Sequence, residues 1–345
     1  MNTSNEPAVT PERILQTAMG FLPAKVLLAG VKMDLFTHLA EAPKSGAQIQ
    51  QSLGLHDRAL YDFLDALVAL GFLERDGLWE AAVYRNGHEA AAFLDRRKPA
   101  YVGGLLKMAD DRLYPFWGDF EEALRTGEPQ NEAKRVGADL FDEIYDDPER
   151  MRAFLEAMAA AQGGAFIALA EKFDFSSHNT LCDIGGALAA LSIEIARRHP
   201  HLRCISADLP IVDPLARDVI EQAGLSDRVV TKVLDFWRDP FPAADVITMG
   251  NILHDWNLEE KKVLIGKAHQ ALNDGGALVI VENIIDDERR SNAFGLLMSL
   301  NMLIETRGGF DFTGADFASW TREAGFSSST VIPLAGPTSA AVAYK

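Results

Sequence analysis

From about Thr180 the chain alternates short apolar runs with longer stretches of helical periodicity, and this alternation constrains the fold more than any other feature. TLCDIGG, LRCISADLP, RVVTKVLDF, ADVITMGNIL and ALVIVENII read as strands; LSIEIARRH, VDPLARDVIEQAG and EEKKVLIGKAHQAL read as helices between them. Strands that are apolar along their whole length need covering on both faces, so the pattern predicts an α/β, Rossmann-like doubly wound parallel sheet over 176–345. The tail breaks the rule. SSSTVIPL and AAVAYK flank Gly336-Pro337 with no room for a helical crossover, so the mostly parallel sheet should close with an antiparallel last strand.

The front of the chain has a different texture. After a polar stretch, helical spacing runs from Pro11 to about Leu39 through Ile14, Leu15, Ala18, Leu22, Val26 and Leu27. SGAQIQQSLGL offers Ser45 as a cap, and HDRALYDFLDALVALGFL lines up Leu60, Phe63, Leu64, Leu67 and Leu70 before Gly71 stops the helix. FLERDGLWEAA then reads as a short wing turning at Asp76-Gly77. Residues 11–100 thus describe a helical, winged-helix-like domain, and 101–175 a helical linker region carrying LYPFWGDFEEAL and MRAFLEAMAAAQGGAFIALAEKF. The helix before the wing holds Asp57, Asp62 and Asp65 against Arg58, and 33 Lys plus Arg face 50 Asp plus Glu, a net charge of −17. Phosphate backbones and anionic lipids bind clustered cations, so nucleic acid and membrane surfaces are poor partners and a folding and dimerisation role is expected. Leu15, Phe21, Leu22, Leu27, Leu28 and Val31 put apolar residues on more than one helix face, which predicts a homodimer. Cys182 and Cys204 make neither a disulfide framework nor a zinc site and suit a reducing cytoplasm; no signal peptide and no apolar run of membrane-spanning length is read.

In doubly wound sheets ligands bind beyond the carboxyl ends of the strands. The first strand ends in Asp183-Ile184-Gly185-Gly186, the second in Asp208 and the third in Asp235-Phe236. Glycine lets backbone approach a ligand, a strand-end carboxylate can hold both hydroxyls of a ribose, and an acceptor beside an aromatic suits adenine. Each piece alone is more often a turn or a helix cap; three acidic strand ends in one sheet point to an adenosine ligand. NAD would want glycine where Ala187 and Ala189 stand, whereas an acidic floor at Asp183 suits the sulfonium and ammonium of S-adenosylmethionine.

These residues resemble the small-molecule O-methyltransferases that include plant phenylpropanoid enzymes, acetylserotonin methyltransferase and bacterial tailoring enzymes. The motifs are DIGG at 183–186, ADLP at 207–210, LDFW at 234–237, NILHDW at 251–256 and GGFDFTGADFASWTREAGF at 308–326. The resemblance implies a methyltransferase domain with a dimerisation domain before it. It also implies S-adenosylmethionine contacts (product S-adenosylhomocysteine) at Gly185, Asp208, Leu209, Asp235 and Phe236. A catalytic His falls on His254, flanked by Glu282 and Asp311. Two departures stand out: Ala189 replaces a loop glycine, and Gly250 takes the place of a lysine found in plant relatives.

Independently of the family, His254 follows the fourth strand and Glu282 ends the fifth, so neighbouring strand ends should bring them together. A carboxylate holding one imidazole nitrogen makes the other a better base, and a phenol needs one to become a nucleophile. Methyl transfer would need no metal, and the eight histidines show no HxxxH pairing. Phe141, Tyr145, Phe154, Met158, Met298, Met302 and Phe310 are candidates for an apolar acceptor pocket, each equally readable as core packing. Two other readings remain: non-methylating chemistry with the same cofactor (hydroxylation, decarboxylation or pericyclic work) and a ligand-binding winged-helix regulator.

Overall fold

The computed structural model describes residues 9–98, 100–132, 134, 145 and 147–345. The chain divides into two compact units, Met1–Asp111 and Arg112–Lys345.

In the first unit the long helical pattern is broken into Glu12–Ala18, Phe21–Lys32 and Leu35–Leu39. Asp34 marks the second break with φ +57°, a left-handed turn that side-chain periodicity does not reveal. Ser45 closes a capping box: its Oγ accepts from the Gln48 N–H at 3.3 Å and Gln48 Oε1 accepts from the Ser45 N–H at 2.8 Å. Helices Gly46–Leu53 and Asp57–Ala69 follow, then a small antiparallel sheet of β1 (Lys44–Ser45), β2 (Leu73–Asp76) and β3 (Val83–Asn86), in the order β1-β3-β2. The wing turns through Gly77 at φ +83° and a short 3-10 turn, Trp79–Ala81, before β3 begins. Leu60, Leu64 and Leu67 pack with Val31, Leu35, Phe36 and Tyr84, while Leu70 stays exposed at the helix end. Val31 turns into this core and Leu28 is also buried; Ile14, Leu15, Met19, Phe21 and Leu22 remain at least half exposed.

The second unit is built on seven strands: β4 (Thr180–Ile184), β5 (Arg203–Asp208), β6 (Val229–Val233), β7 (Ala244–Gly250), β8 (Leu272–Glu282), β9 (Ser328–Pro333) and β10 (Ser339–Tyr344). Their order is β6-β5-β4-β7-β8-β10-β9. The first five run parallel, and β10 lies antiparallel to both β8 and β9. Side chains alternate across the sheet with the period of two that a pleated strand imposes. Leu181, Val246 and Val279 meet Ala165, Phe166 and Leu169 of helix Pro148–Lys172 on one face. Cys182, Ile247 and Leu278 meet Leu264, Ile265 and Phe317 on the other. Residues from Arg112 onward belong to the same compact unit as the strands. By length and composition Glu12–Lys32 and Pro148–Lys172 are apolar enough to cross a membrane, contrary to the sequence expectation; a buried core helix passes the same test, and the second lays its apolar face on the sheet.

Candidate functional site

Chain order and spatial order part between β4 and its neighbours β5 and β7, which is where ligands enter such sheets. Register sets the strand ends level: Asp183 lies opposite Ser206 on one side and Thr248 on the other. Asp183 is buried, Thr248 Oγ1 donates to it at 2.7 Å, and loss of water pushes its pKa up to about 7. Gly185 adopts φ +68°, and a side chain there would strike Ile252; one at Gly186 would strike the Ser206 hydroxyl. Both glycines donate to the Ala207 carbonyl, at 2.9 and 3.2 Å, folding the loop tightly over the strand ends.

Asp208 holds this loop. Its Oδ2 accepts from the Ala187 N–H and its Oδ1 from the Leu209 N–H, both at 2.7 Å. Burial raises its pKa and these two donors oppose the rise. Each oxygen keeps a further lone pair, the requirement for also receiving ribose hydroxyls. Ala187 and Ala189 sit at φ +47° and +59°, a left-handed conformation that costs a Cβ-bearing residue ~1–2 kcal/mol. Asp235 accepts from the Trp237 N–H at 2.9 Å in the turn after β6, and Phe236 meets the edge of Trp256 at 5.9 Å. Half-buried carboxylates, an aromatic ring and a loop with no side chain at Gly185 or Gly186 fit an adenosine-bearing cofactor. A side chain at Gly250 would first meet Gln162 Oε1, 3.0 Å away, and then Phe166, both on helix Pro148–Lys172.

His254 lies in a 3-10 turn, Leu253–Asp255, just beyond β7, and is buried. Asp311 Oδ1 is 3.5 Å from its Nδ1 and Asp255 Oδ1 is 3.5 Å from its Nε2. Glu282 does come close, but its Oε1 accepts from the backbone N–H of His254 at 3.2 Å, not from the ring. The reason is topological. Gly250 pairs with Val281, so Glu282 lies one step beyond, beneath the start of the turn, and the imidazole swings past it toward the 309–311 segment. Among the described residues, Glu282 Oε2 and both Asp311 oxygens are buried without a hydrogen-bond partner. Burial alone would lower the His254 pKa; Asp255, Asp311 and Glu282 outweigh it and lift it to about 10. Burial lifts Glu282 and Asp255 above the usual carboxylate range.

The pocket candidates fall into separate places. Tyr145 and Phe154 pack with Met151, Leu155, Ala187, Leu188 and Val212, against the cofactor loop. Burial raises the Tyr145 pKa, with Asp208 and Asp255 adding to the rise. Phe310 meets Trp320 edge-on at 6.3 Å. Met302 is buried and Met298 half-buried on helix Ala293–Glu305, Met158 is half-buried on helix Pro148–Lys172, and Phe141 lies outside the described residues. Helix Ala293–Glu305 is clamped by groups that sequence reasoning missed. Arg112 spans Glu132 and Glu305 at 2.8 and 2.9 Å, Asn131 donates to the Glu305 carbonyl at 2.7 Å, and Trp117 donates to Asn301 at 2.9 Å. Asp255 and Lys261 were likewise unsignalled, because charges in HDWNLEEKK read as a solvated helix start.

Family comparison agrees with this geometry. An O-methyltransferase domain matches residues 117–327 and an O-methyltransferase dimerisation domain residues 15–96. The chain is 42% identical to the tetracenomycin polyketide synthesis 8-O-methyl transferase TcmO of Streptomyces glaucescens, over 97% of each chain. It is 34% identical to the 3-hydroxy-5-methyl-1-naphthoate 3-O-methyltransferase of Streptomyces sahachiroi, over 95% of this chain and 92% of that one. The crystal structure of human N-acetylserotonin methyltransferase with S-adenosylmethionine superposes with a TM-score of 0.89 at 26% identity, covering 100% of this chain and 99% of the other. A sheet whose strand ends form an adenosine-type cradle beside a buried histidine, on a chain matching these proteins over its whole length, belongs to the S-adenosylmethionine-dependent O-methyltransferase family.

Proposed function

We propose that the chain works in the cytoplasm as a homodimer and methylates a hydroxyl of an aromatic or polyketide-like small molecule, with His254 as general base. The observation that carries the reading is the buried imidazole of His254 beyond β7, with Asp311 at 3.5 Å from one ring nitrogen and Asp255 at 3.5 Å from the other. The bound cofactor supplies an electrophilic methyl group on a sulfonium. Asp208, through Ala187 and Leu209, holds the loop that receives the adenosine; Asp183, Gly185, Leu209, Asp235 and Phe236 complete that side. His254 takes the proton of the acceptor hydroxyl, Asp311 stabilises the imidazolium that forms, and Glu282 anchors the turn by its backbone bond. No step calls on a metal. The acceptor class follows the hydroxylated aromatic and polyketide chemistry in the names of the two Streptomyces relatives. The half-buried apolar residues Met158, Met298 and Phe310, with buried Met302, suit such a flat molecule. The dimer rests on the dimerisation domain and on the exposed Leu15, Phe21 and Leu22.

Turnover of a hydroxylated naphthoate with S-adenosylmethionine, followed by mass spectrometry, tests the reading. A methyl ether and S-adenosylhomocysteine in equal amounts support it; cofactor binding without methylation of any hydroxylated aromatic offered would favour other chemistry on the same fold.

A further inference from the structure

Helix Pro148–Lys172 lays Ala165, Phe166 and Leu169 on the sheet, and Gln162 continues that stripe one turn nearer the helix start. A buried polar atom needs a hydrogen-bond partner, yet among the described residues the side-chain Oε1 of half-buried Gln162 is buried with none. The oxygen faces the end of β7, where a Cβ on Gly250 would lie 3.0 Å from it. Residues two apart on a strand share a face, so Gly250 lies on the same face of β7 as Thr248, one step nearer the carboxyl end. Thr248 stands opposite Asp183 on β4 and donates to it at 2.7 Å. Asp183 also lies beneath the glycine loop, its Oδ2 3.1 Å from the place a Gly186 Cβ would take. One corner of the site thus holds two acceptors on the helix-covered side of the sheet: a neutral carbonyl oxygen at the end of β7 and a carboxylate at the end of β4.

We propose that Gln162 binds the amino-acid end of the cofactor, its Oε1 accepting a hydrogen bond from the ammonium group of S-adenosylmethionine. The proposal rests on the reading of these strand ends as the cofactor cradle. Asp208 and the Asp235–Phe236 turn assign the adenosine to the ends of β5 and β6, which leaves the amino-acid end for β4 and β7 on the other side of the switch point. An ammonium carries three N–H donors and no acceptor, so it wants a cluster of oxygens. Gln162 and Asp183 supply oxygens from two strand ends, and hydrogen bonds to a charged group are the stronger kind. A methionine at 162 would have similar length and would offer no such acceptor.

The test is calorimetry on the whole chain with two ligands: S-adenosylhomocysteine, and 5′-S-(3-carboxypropyl)-5′-thioadenosine, which is the same molecule without its ammonium group. In Gln162→Met the affinity for S-adenosylhomocysteine should fall roughly 10–100-fold, the worth of one hydrogen bond to a charged group. Affinity for the deaminated ligand should stay at the wild-type value, which also shows that the variant is folded. A side chain that merely packs the helix against the sheet would weaken both ligands alike, and that result overturns the proposal. So does a Gln162→Met protein that keeps the wild-type preference for S-adenosylhomocysteine. Should that variant not fold, Gln162→Glu keeps an oxygen acceptor at the same reach. It should prefer S-adenosylhomocysteine over the deaminated ligand at least as strongly as the wild type does, and a collapse of that preference overturns the proposal too. If the wild type binds neither ligand, the cradle reading fails and the proposal with it. If the wild type binds both and Gln162→Met changes neither affinity, the cradle stands and only the role of Gln162 falls.

Discussion

Asp311 Oδ1 lies 3.5 Å from Nδ1 of His254, in a buried site where Glu282 is occupied with the histidine's backbone and not its ring. On the proposed mechanism Asp311 is the carboxylate that would steady the imidazolium, a role that adjacency of strand ends alone would assign to Glu282. Asp311→Asn should lower the His254 pKa, because it removes an anion that favours the charged ring. The acid limb of kcat/KM should then move to lower pH while the plateau rate falls. A limb that moves upward would contradict the assignment.

In the wild type the same electrostatics set the direction of pH dependence. A pKa lifted to about 10 means that the neutral, proton-accepting ring is scarce near neutral pH. The kcat/KM profile should still be rising at about pH 8, above the usual histidine midpoint of about 6.5. A profile already flat by pH 7 would contradict a raised His254 pKa.

His254→Ala should cost ~10²–10⁴-fold in turnover, the usual worth of a general base. Affinity for S-adenosylhomocysteine, measured by calorimetry, should scarcely change, since the loop held by Asp208 is intact. Loss of affinity comparable to the loss of rate would place the imidazole in the cofactor site instead.

Asp208→Ala should do the reverse. It strips the Ala187 and Leu209 N–H groups of their acceptor and would remove the proposed partner of the ribose, weakening S-adenosylhomocysteine by ~1–3 kcal/mol. Unchanged calorimetric affinity would exclude the carboxylate from the cofactor cradle.

The two left-handed alanines should respond differently to glycine. Ala187 is half-buried, so Ala187→Gly relieves ~1–2 kcal/mol of strain against ~0.4–1 kcal/mol of added chain entropy and should stabilise the fold slightly. Ala189 is fully buried, and its methyl contributes about 0.8 kcal/mol of packing, so Ala189→Gly should be close to neutral. Thermal melts of the two variants decide it; a clear loss of stability in Ala187→Gly would mean that the positive φ is not strained there.

Light scattering should give twice the mass of one chain, and Phe21→Glu with Leu22→Glu should shift it toward the monomer, since both side chains are about half exposed within their own unit. A wild-type monomer at micromolar concentration would count against the homodimer.

Local regularities in the sequence were enough to determine the alternation of strand and helix, the antiparallel close, the Ser45 capping box and the placing of Asp183, Asp208 and His254 at or just beyond strand ends. Each depends on periodicity or spacing over a few residues, which backbone geometry translates directly into structure. Tertiary structure alone decided the rest. The break at Asp34 rests on one backbone angle, and the packing of Tyr145 and Phe154 with Ala187 and Leu188 joins segments distant in sequence. Whether Asp311 or Glu282 meets the imidazole depends on the path of a three-residue turn beyond β7. Lys261 reads in EEKK as one more charge on a solvated helix, and only packing against Phe310 and the Trp256 carbonyl turns it inward. Such contacts join residues distant in sequence, and their geometry is set by which surfaces close against each other, a property that no local pattern encodes.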